Sequence, residues 1–277
     1  MRNQLKIYYH HLLPKRFLTF IAFVLANSKI KWLKNYLIAD FVKKHPVKMH
    51  EAREPNPFAY ASFNDFFTRH LAPSARIFAS SRYISPVDGA ISETGPLHED
   101  KLLQAKGIEY RLSDLLAEPK SHVSEFIDGT FMTIYLSPSD YHRVHMPVTG
   151  RLIKQTYIPG KLYSVQPFTT QNIPNIFSEN ERLVLHFTTE YGPFIMVLVG
   201  ATIVGCMGTS WQGDLKRQNQ IVTQTWDQGL ELKQGEEAGY FKLGSTVILI
   251  WPHTSKPIWS HSWAADMPVR LGEALTS

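Results

Sequence analysis

The apolar, β-branched run Thr246-Val247-Ile248-Leu249-Ile250 directly follows Gly244-Ser245, and that junction constrains the chain more than any other stretch. The run specifies an apolar strand, approached through a segment punctuated by Gly239 and Gly244. Gly244 has no Cβ, so its carbonyl can be approached closely and its backbone can take conformations closed to other residues. Ser245 places a hydroxyl one residue further on. A serine oxygen can attack the carbonyl carbon just before it, moving the acyl group from nitrogen to oxygen and turning an amide into an ester. Removal of the serine α-proton then expels the ester by β-elimination. The dehydroalanine left behind tautomerises and hydrolyses to a pyruvoyl group, with loss of ammonia. Taken alone, Gly-Ser-Thr before an apolar strand is ordinarily a turn leading into that strand, so the remainder of the chain must decide.

The chain has 277 residues, 44% of them hydrophobic and 12% aromatic, enough for one large or two small cores. Its single cysteine, Cys206, permits no internal disulfide, and within the apolar run from Val199 it reads as core rather than nucleophile. The formal charge of +5 is unevenly spread: residues 1–50 hold ten Lys and Arg against Asp40 alone, about +9, which leaves about −4 for the rest. Such a segment seeks an anionic surface, nucleic acid or a membrane. From Leu5 to Val42 apolar residues including Leu12, Leu13, Phe17, Phe20, Ile21, Val24 and Leu25 recur at helical spacing, broken at Pro14 and near Asn27-Ser28. Two or three short amphipathic helices are predicted. The run Phe17 to Ala26 is too short to span a bilayer, which takes ~20 residues. Aromatic and aliphatic residues among lysines suit helices lying in the interfacial plane, which favours lipid over nucleic acid as the partner. The alternative is packing against the chain's own domain. Continuation of the pattern past Lys29, Lys31 and Lys34 argues against a signal peptide ending at Ala26.

Residues 46–82 read as a connector carrying one capped helix, Ser62-Phe63-Asn64-Asp65-Phe66-Phe67. Beyond it, strands are predicted at Thr130–Leu136, Leu183–Thr188 and Phe194–Val204, with a helix near Arg111–Ala117. The expected fold class is α+β: a mainly antiparallel β core behind N-terminal amphipathic helices, divided into residues 1–45 and a β-rich catalytic domain over 46–277. Two places besides Ser245 carry candidate chemistry. Asp88, in Ser85-Pro86-Val87-Asp88-Gly89, can hold backbone N–H groups in a turn or orient a histidine. Ser137-Pro138-Ser139-Asp140 reads as a helix start, and one helical turn after it would put His142 and His145 on the same side. In a strand they would face opposite sides. Two histidines could also bind zinc, but no third ligand stands at a recognisable spacing, so no metal is expected.

Taken together and in order, four motifs resemble those of the phosphatidylserine decarboxylases, most closely the bacterial membrane-associated form. They are Ser85-Pro86-Val87-Asp88-Gly89, Asp140-Tyr141-His142-Arg143-Val144-His145-Met146-Pro147, Val199-Gly200-Ala201-Thr202-Ile203-Val204-Gly205 and Phe241-Lys242-Leu243-Gly244-Ser245-Thr246-Val247. Leu103-Gln104-Ala105-Lys106-Gly107 and Pro174-Asn175 also fit the resemblance, whereas the tail after Trp251, with Trp259 and Trp263, departs from it most. The resemblance implies cleavage between Gly244 and Ser245 into a β chain, 1–244, and an α chain, 245–277, whose Ser245 becomes a covalent pyruvoyl cofactor. It further implies a homodimer of such pairs, peripheral on the cytoplasmic side of the inner (cell) membrane and acting on phosphatidylserine.

Each residue type then has a chemical reason. Asp88, His145 and Ser245 would make a self-cleavage triad: Asp88 holds the imidazole tautomer, and His145 deprotonates the Ser245 hydroxyl. In turnover the substrate amine condenses with the pyruvoyl ketone as a Schiff base, which accepts the electrons released as CO₂ leaves. By the resemblance, His142 protonates the resulting carbanion and phosphatidylethanolamine is released. Two other classes compete. A serine hydrolase using Ser245 lacks the Gly-x-Ser-x-Gly elbow there, and a noncatalytic peripheral membrane module would need only the basic helices.

Overall fold

A computed structural model describes residues 15–201, 206–242 and 245–277. The helices are α1 (Lys15–Ala26), α2 (Lys31–Lys44), α3 (Phe63–Phe67), α4 (Leu112–Leu116), α5 (Pro167–Thr170) and α6 (Ile176–Glu179). The strands are β1 (Gly89–Pro96), β2 (Lys101–Ala105), β3 (Ile108–Arg111), β4 (Thr130–Leu136), β5 (Arg143–His145), β6 (Gly150–Ile158), β7 (Arg182–Thr189), β8 (Gly192–Val199), β9 (Cys206–Thr209), β10 (Gly213–Asp214), β11 (Val222–Leu232), β12 (Glu237–Lys242), β13 (Ser245–Trp251) and β14 (Pro268–Val269). The fold is α+β, as expected, and its paired strands run antiparallel.

The large sheet has the order β11-β6-β7-β8-β13-β4-β1-β14, the small sheet β10-β9-β12-β5, and β2 and β3 form a hairpin. Strand β13 lies at the centre, between β4 and β8. Its side chains alternate between faces, and both faces are covered, which is why its sequence is apolar without interruption. Val247, Leu249 and Trp251 enter a core shared with Val144, Met207, Ala238 and Phe241 of the small sheet. Ile248 and Ile250 enter a second core with Leu112, Leu115 and Leu116 of α4 and Ile176 and Phe177 of α6. The molecule is therefore layered, small sheet on large sheet on helices.

The N-terminal helices are fastened by a third core in which Ala26, Ile38, Phe63, Phe66 and Phe67 are buried. Phe41 of α2 meets Phe63, Phe66 and Phe67 of α3 edge-on, at 5.3, 6.0 and 5.8 Å. One side of α2 thus packs on its own domain. The opposite side, and the apolar side of α1, do not: Phe20 is 62% exposed, Val24 51%, Trp32 71% and Tyr36 67%. Helix α3 starts where predicted, its Ser62 hydroxyl accepting from Asp65 N–H.

The expected helix after Ser137 does not form. Asp140 N–H donates to Ser137 O at 3.0 Å, while the Asp140 carboxylate accepts Ser137 N–H at 2.7 Å. Those bonds close a tight turn, and pairing with β12 then draws Arg143–His145 into strand β5. Local capping chemistry was satisfied without a helix because sheet pairing competed for the next residues. As a result His142 and His145 do not share a side. A further departure is the tail after Trp251, which returns to the large sheet: β14 pairs with β1, and bridges join Ile84 to Ala274 and Trp259 to Thr276.

Because Ile248 is fully buried at the centre of the layers, Ile248→Ala should lower unfolding free energy by about 2–5 kcal/mol. Denaturant titration of the two proteins checks this.

Candidate functional site

The candidate residues lie along the segments that join the large sheet to the small one. Leu136, at the end of β4, lies opposite Ser245 at the start of β13. From Leu136 the chain turns through 137–142 into β5, while β12, which pairs with β5, leads through 243–244 back to Ser245. Phe241 N–H donates to His142 O at 2.9 Å, tying the passages to each other. The segment before β1 joins them: His145 N–H donates to Pro86 O at 2.9 Å, and Ala90 lies opposite Tyr135. Gly89 is required by this approach, since a Cβ there would stand 2.4 Å from Tyr135 O. Asp88 is held between those contacts. Leu243 and Gly244, and with Gly244 the expected cleavage bond, lie outside the described residues, as do residues 202–205 of the Val199–Gly205 motif.

Ser245 is fully buried, and its Oγ has no hydrogen-bond partner among the described residues. By alternation along β13 its side chain faces the core between the two sheets. A cavity of about 220 Å³ lined by Ala90, Lys106, Tyr135, Gln171 and Asp266 opens on the other face of the sheet.

His145 is bonded at both ring nitrogens. Its Nδ1 lies 2.8 Å from Gly235 O, and a carbonyl only accepts, so Nδ1 carries the proton. Its Nε2 is then the acceptor for the Tyr141 hydroxyl, at 3.1 Å. Burial lowers the proton affinity of His145, opposed by the Gly235 carbonyl and by the charges of Glu237 and Asp88. The ring is therefore neutral near neutral pH, with the protonation state of a base.

Asp88 does not bond to that ring here. Its carboxylate sits in the fork of Arg76, with Arg76 Nε 3.1 Å from Oδ1, and accepts Leu271 N–H at 2.9 Å. Arg76 also pairs with Glu51 at 2.9 Å, and Glu51 with Arg270 at 2.7 Å. Asp88 thus reaches His145 through its field, while its direct bonds run to the connector and the C-terminal tail.

His142 occupies a separate environment. It is fully buried, its ring lies 4.2 Å from that of Phe67, and its Nδ1 donates to Asp140 O at 2.9 Å. Its Nε2 has no partner among the described residues. Burial is the main cause that lowers its pKa to about 3, with the Arg69 charge acting in the same direction. No group of three His, Cys, Asp or Glu able to hold a metal gathers among the described residues.

Sequence reasoning gave no role to Tyr141, Arg76 or Arg69. The signal for Tyr141 was its position four residues before His145, which has meaning only once the intervening segment is known to turn. Arg76 lies in a connector with no periodic pattern to orient it.

Comparison with known proteins defines the class to which this arrangement belongs. The family model described as Phosphatidylserine decarboxylase matches residues 63–277, and one described as PSD matches residues 5–45. The chain belongs to the phosphatidylserine decarboxylase family. It is 46% identical over 277 residues to a protein of Legionella pneumophila (strain Lens) named phosphatidylserine decarboxylase proenzyme, covering 99% of this chain and 98% of that one. Proteins of the same name from Methylobacillus flagellatus and Chromobacterium violaceum are 47% and 45% identical, covering 96% and 100% of this chain and the same shares of their own.

The buried His142 makes stability depend on pH. In the unfolded chain the imidazole takes up a proton as pH falls through its ordinary 6.5, whereas in the folded chain it resists until about 3. Between those values the unfolded state binds more protons, so stability is lost as pH falls, by up to ~1.4 kcal/mol per pH unit. His142→Gln should flatten this slope by about one proton, measured as the difference between wild-type and variant unfolding free energies across that window.

Proposed function

We infer that this chain is a self-processing, pyruvoyl-dependent decarboxylase that converts phosphatidylserine to phosphatidylethanolamine and CO₂. The observation that carries the reading is Ser245 itself: a fully buried hydroxyl with no partner among the described residues, heading the central strand in a chain of this family. An unsatisfied buried hydroxyl costs stability, and acyl transfer gives this one a chemical use.

In the first, self-directed reaction, His145 receives the Ser245 proton at Nε2, whose lone pair is available because Nδ1 holds the other proton on Gly235 O. Tyr141 must give up its bond to Nε2 or pass the proton along it. Asp88 supports the imidazolium that forms, its negative charge already raising the proton affinity of His145. Ser245 Oγ adds to the Gly244 carbonyl carbon, the Gly244–Ser245 amide becomes an ester, and elimination frees the new C-terminus at Gly244. Both fragments remain joined, since β13 is paired on both sides and β14 holds β1.

A pyruvoyl group held at position 245 would supply a ketone for the substrate amine and a sink for the electron pair left by CO₂. His142 delivers the proton to the α-carbon from Nε2. Neutral at rest, it is brought into its donor state when the anionic substrate arrives, because a nearby negative charge raises the proton affinity of a buried imidazole.

The N-terminal helices bring the enzyme to its lipid. No helix among the described residues is long and apolar enough to cross a membrane, and the exposed Phe20, Val24, Trp32 and Tyr36 stand among Lys29, Lys31 and the other basic residues of the segment. Such helices lie in the interface, apolar side down, on the cytoplasmic face of the cell membrane. A homodimer of processed chain pairs belongs to the same proposal.

Ser245→Ala should give a single uncleaved, inactive chain on denaturing electrophoresis, since alanine cannot accept the acyl group. Asp88→Asn and His145→Ala should slow cleavage, the latter by roughly 10²–10⁴-fold, the worth of a general base. His142→Ala should still cleave, at least in part, yet release no CO₂. Normal maturation of Ser245→Ala contradicts the reading.

For the membrane, Phe20→Ser, Val24→Ser and Trp32→Ser combined should reduce sedimentation with anionic vesicles and leave cleavage intact. These side chains face solvent, so the variant spares the Ile38 and Phe41 contacts that a deletion of the helices would destroy. High salt should weaken wild-type binding without abolishing it, as expected when each basic residue contributes ~1 kcal/mol beside apolar insertion. Undiminished sedimentation of the triple variant would place the membrane surface elsewhere.

A further inference from the structure

Two buried arginines differ in a way that separates a structural role from a binding one. Arg182 is 3% exposed and each of its nitrogens donates to a carbonyl: Nε to Leu115 O at 2.6 Å, Nη1 to Asn180 O at 2.9 Å and Nη2 to Asp114 O at 2.7 Å. Each nitrogen thus has a partner in the fold. Arg69 is 4% exposed, but only Nη2 is used, on Ser139 O at 3.1 Å and Asp140 O at 3.3 Å. Among the described residues its Nε and Nη1 are buried without a hydrogen-bond partner and it makes no ion pair, its guanidinium standing 5.8 Å from the centre of the Phe66 ring. A buried cation with two unfilled donors is costly unless an anion completes it.

The surroundings of Arg69 repeat the pattern. Asn64 is 2% exposed, and both atoms of its amide lack partners. It stands three residues before Phe67 on α3, so the two share a helix side, and Phe67 is the ring against His142. The Asp140 carbonyl accepts from both His142 Nδ1 and Arg69 Nη2. Arg69 and His142 therefore meet at the turn that extends Leu136, the residue opposite Ser245, and Asn64 stands on the short helix whose Phe67 covers the same imidazole.

We propose that Arg69, assisted by Asn64, binds the phosphodiester of the phosphatidylserine headgroup beside His142. The proposal rests on the decarboxylase reading above. A guanidinium and an amide N–H are donors suited to an oxyanion. The headgroup offers two, a carboxylate and a phosphodiester, and the reaction distinguishes them. The carboxylate loses its charge as CO₂ departs, so a tight guanidinium contact there would stabilise the ground state more than the transition state. The phosphodiester keeps its charge throughout, and holding it binds substrate without that penalty. Only the ester oxygen and the β-carbon separate the phosphorus from the α-carbon, so gripping it sets the α-carbon next to the proton donor.

The test uses the full-length, processed enzyme with dihexanoylphosphatidylserine as substrate and two soluble competitors: glycerophosphoethanolamine, a phosphodiester without a carboxylate, and serine, a carboxylate without a phosphate. In the wild type, glycerophosphoethanolamine should compete at least tenfold better than serine. Arg69→Gln should raise KM roughly ten- to a hundredfold, with kcat changed by only a few-fold, and should abolish the advantage of the phosphodiester competitor. Arg69→Lys should recover part of the loss, a charge without the fork. Extent of cleavage and thermal midpoint are read in parallel. If Arg69→Gln does not fold, the wild-type competition and Arg69→Lys decide. An unchanged KM in a folded, cleaved Arg69 variant overturns the assignment, and so does stronger competition by serine. Failure of the wild type to cleave or to release CO₂ would instead overturn the decarboxylase reading.

Discussion

The pairing of β13 between β4 and β8 is the constraint on which everything else depends. It fixes Ser245 opposite Leu136 and buries its hydroxyl where water cannot compete. The same pairing lets the chain be cut without coming apart. A strand hydrogen-bonded along both edges and packed on both faces does not need the covalent bond before it in order to stay in place. The protein can therefore sacrifice the peptide bond before this strand and retain its architecture.

The two histidines show how one short motif serves two environments. Three residues apart and spanning the start of a strand, they point to opposite sides. His145 lies toward Tyr141, Gly235 and the field of Asp88, and His142 toward Phe67 and Arg69. Both are kept neutral by burial, but only His142 has a ring nitrogen left unpartnered. His145 is thereby suited to a reaction performed once on the chain itself, and His142 to one that requires a substrate to complete its surroundings. Arg76 adds a further element, since its hold on Asp88 ties that proposed self-cleavage residue to Glu51 and Arg270, on the connector and the tail.

Much of this was legible in the sequence because it rests on local pattern. The apolar run after Ser245, the strand at Thr130–Leu136 and the Ser62-capped helix all form where hydrophobic periodicity and capping place them. The helix expected after Ser137 failed because its start signals are shared by a tight turn, and the choice between them was made by pairing with β12, about a hundred residues away in the chain. The tail after Trp251 was opaque for a similar reason: its contribution, a backbone N–H of Leu271 on Asp88, leaves no mark on side-chain identity. Asn64 sat within the predicted helix and Arg69 two residues beyond it in the connector, but only burial combined with unfilled donors distinguishes them from ordinary polar residues. The helices at the N-terminus were read as amphipathic, and the structure adds that α2 is apolar on two sides, one of them used internally.

The central claim is that this chain cuts itself before Ser245 and converts that serine into a ketone. Intact mass measurement of the purified, denatured protein tests it most directly. The account predicts two species that together span residues 1–277, the smaller beginning at position 245 and lighter than a serine-terminated fragment by the mass of ammonia. A single species of full-length mass in catalytically active material, or a small fragment retaining an unmodified N-terminal serine, would contradict it.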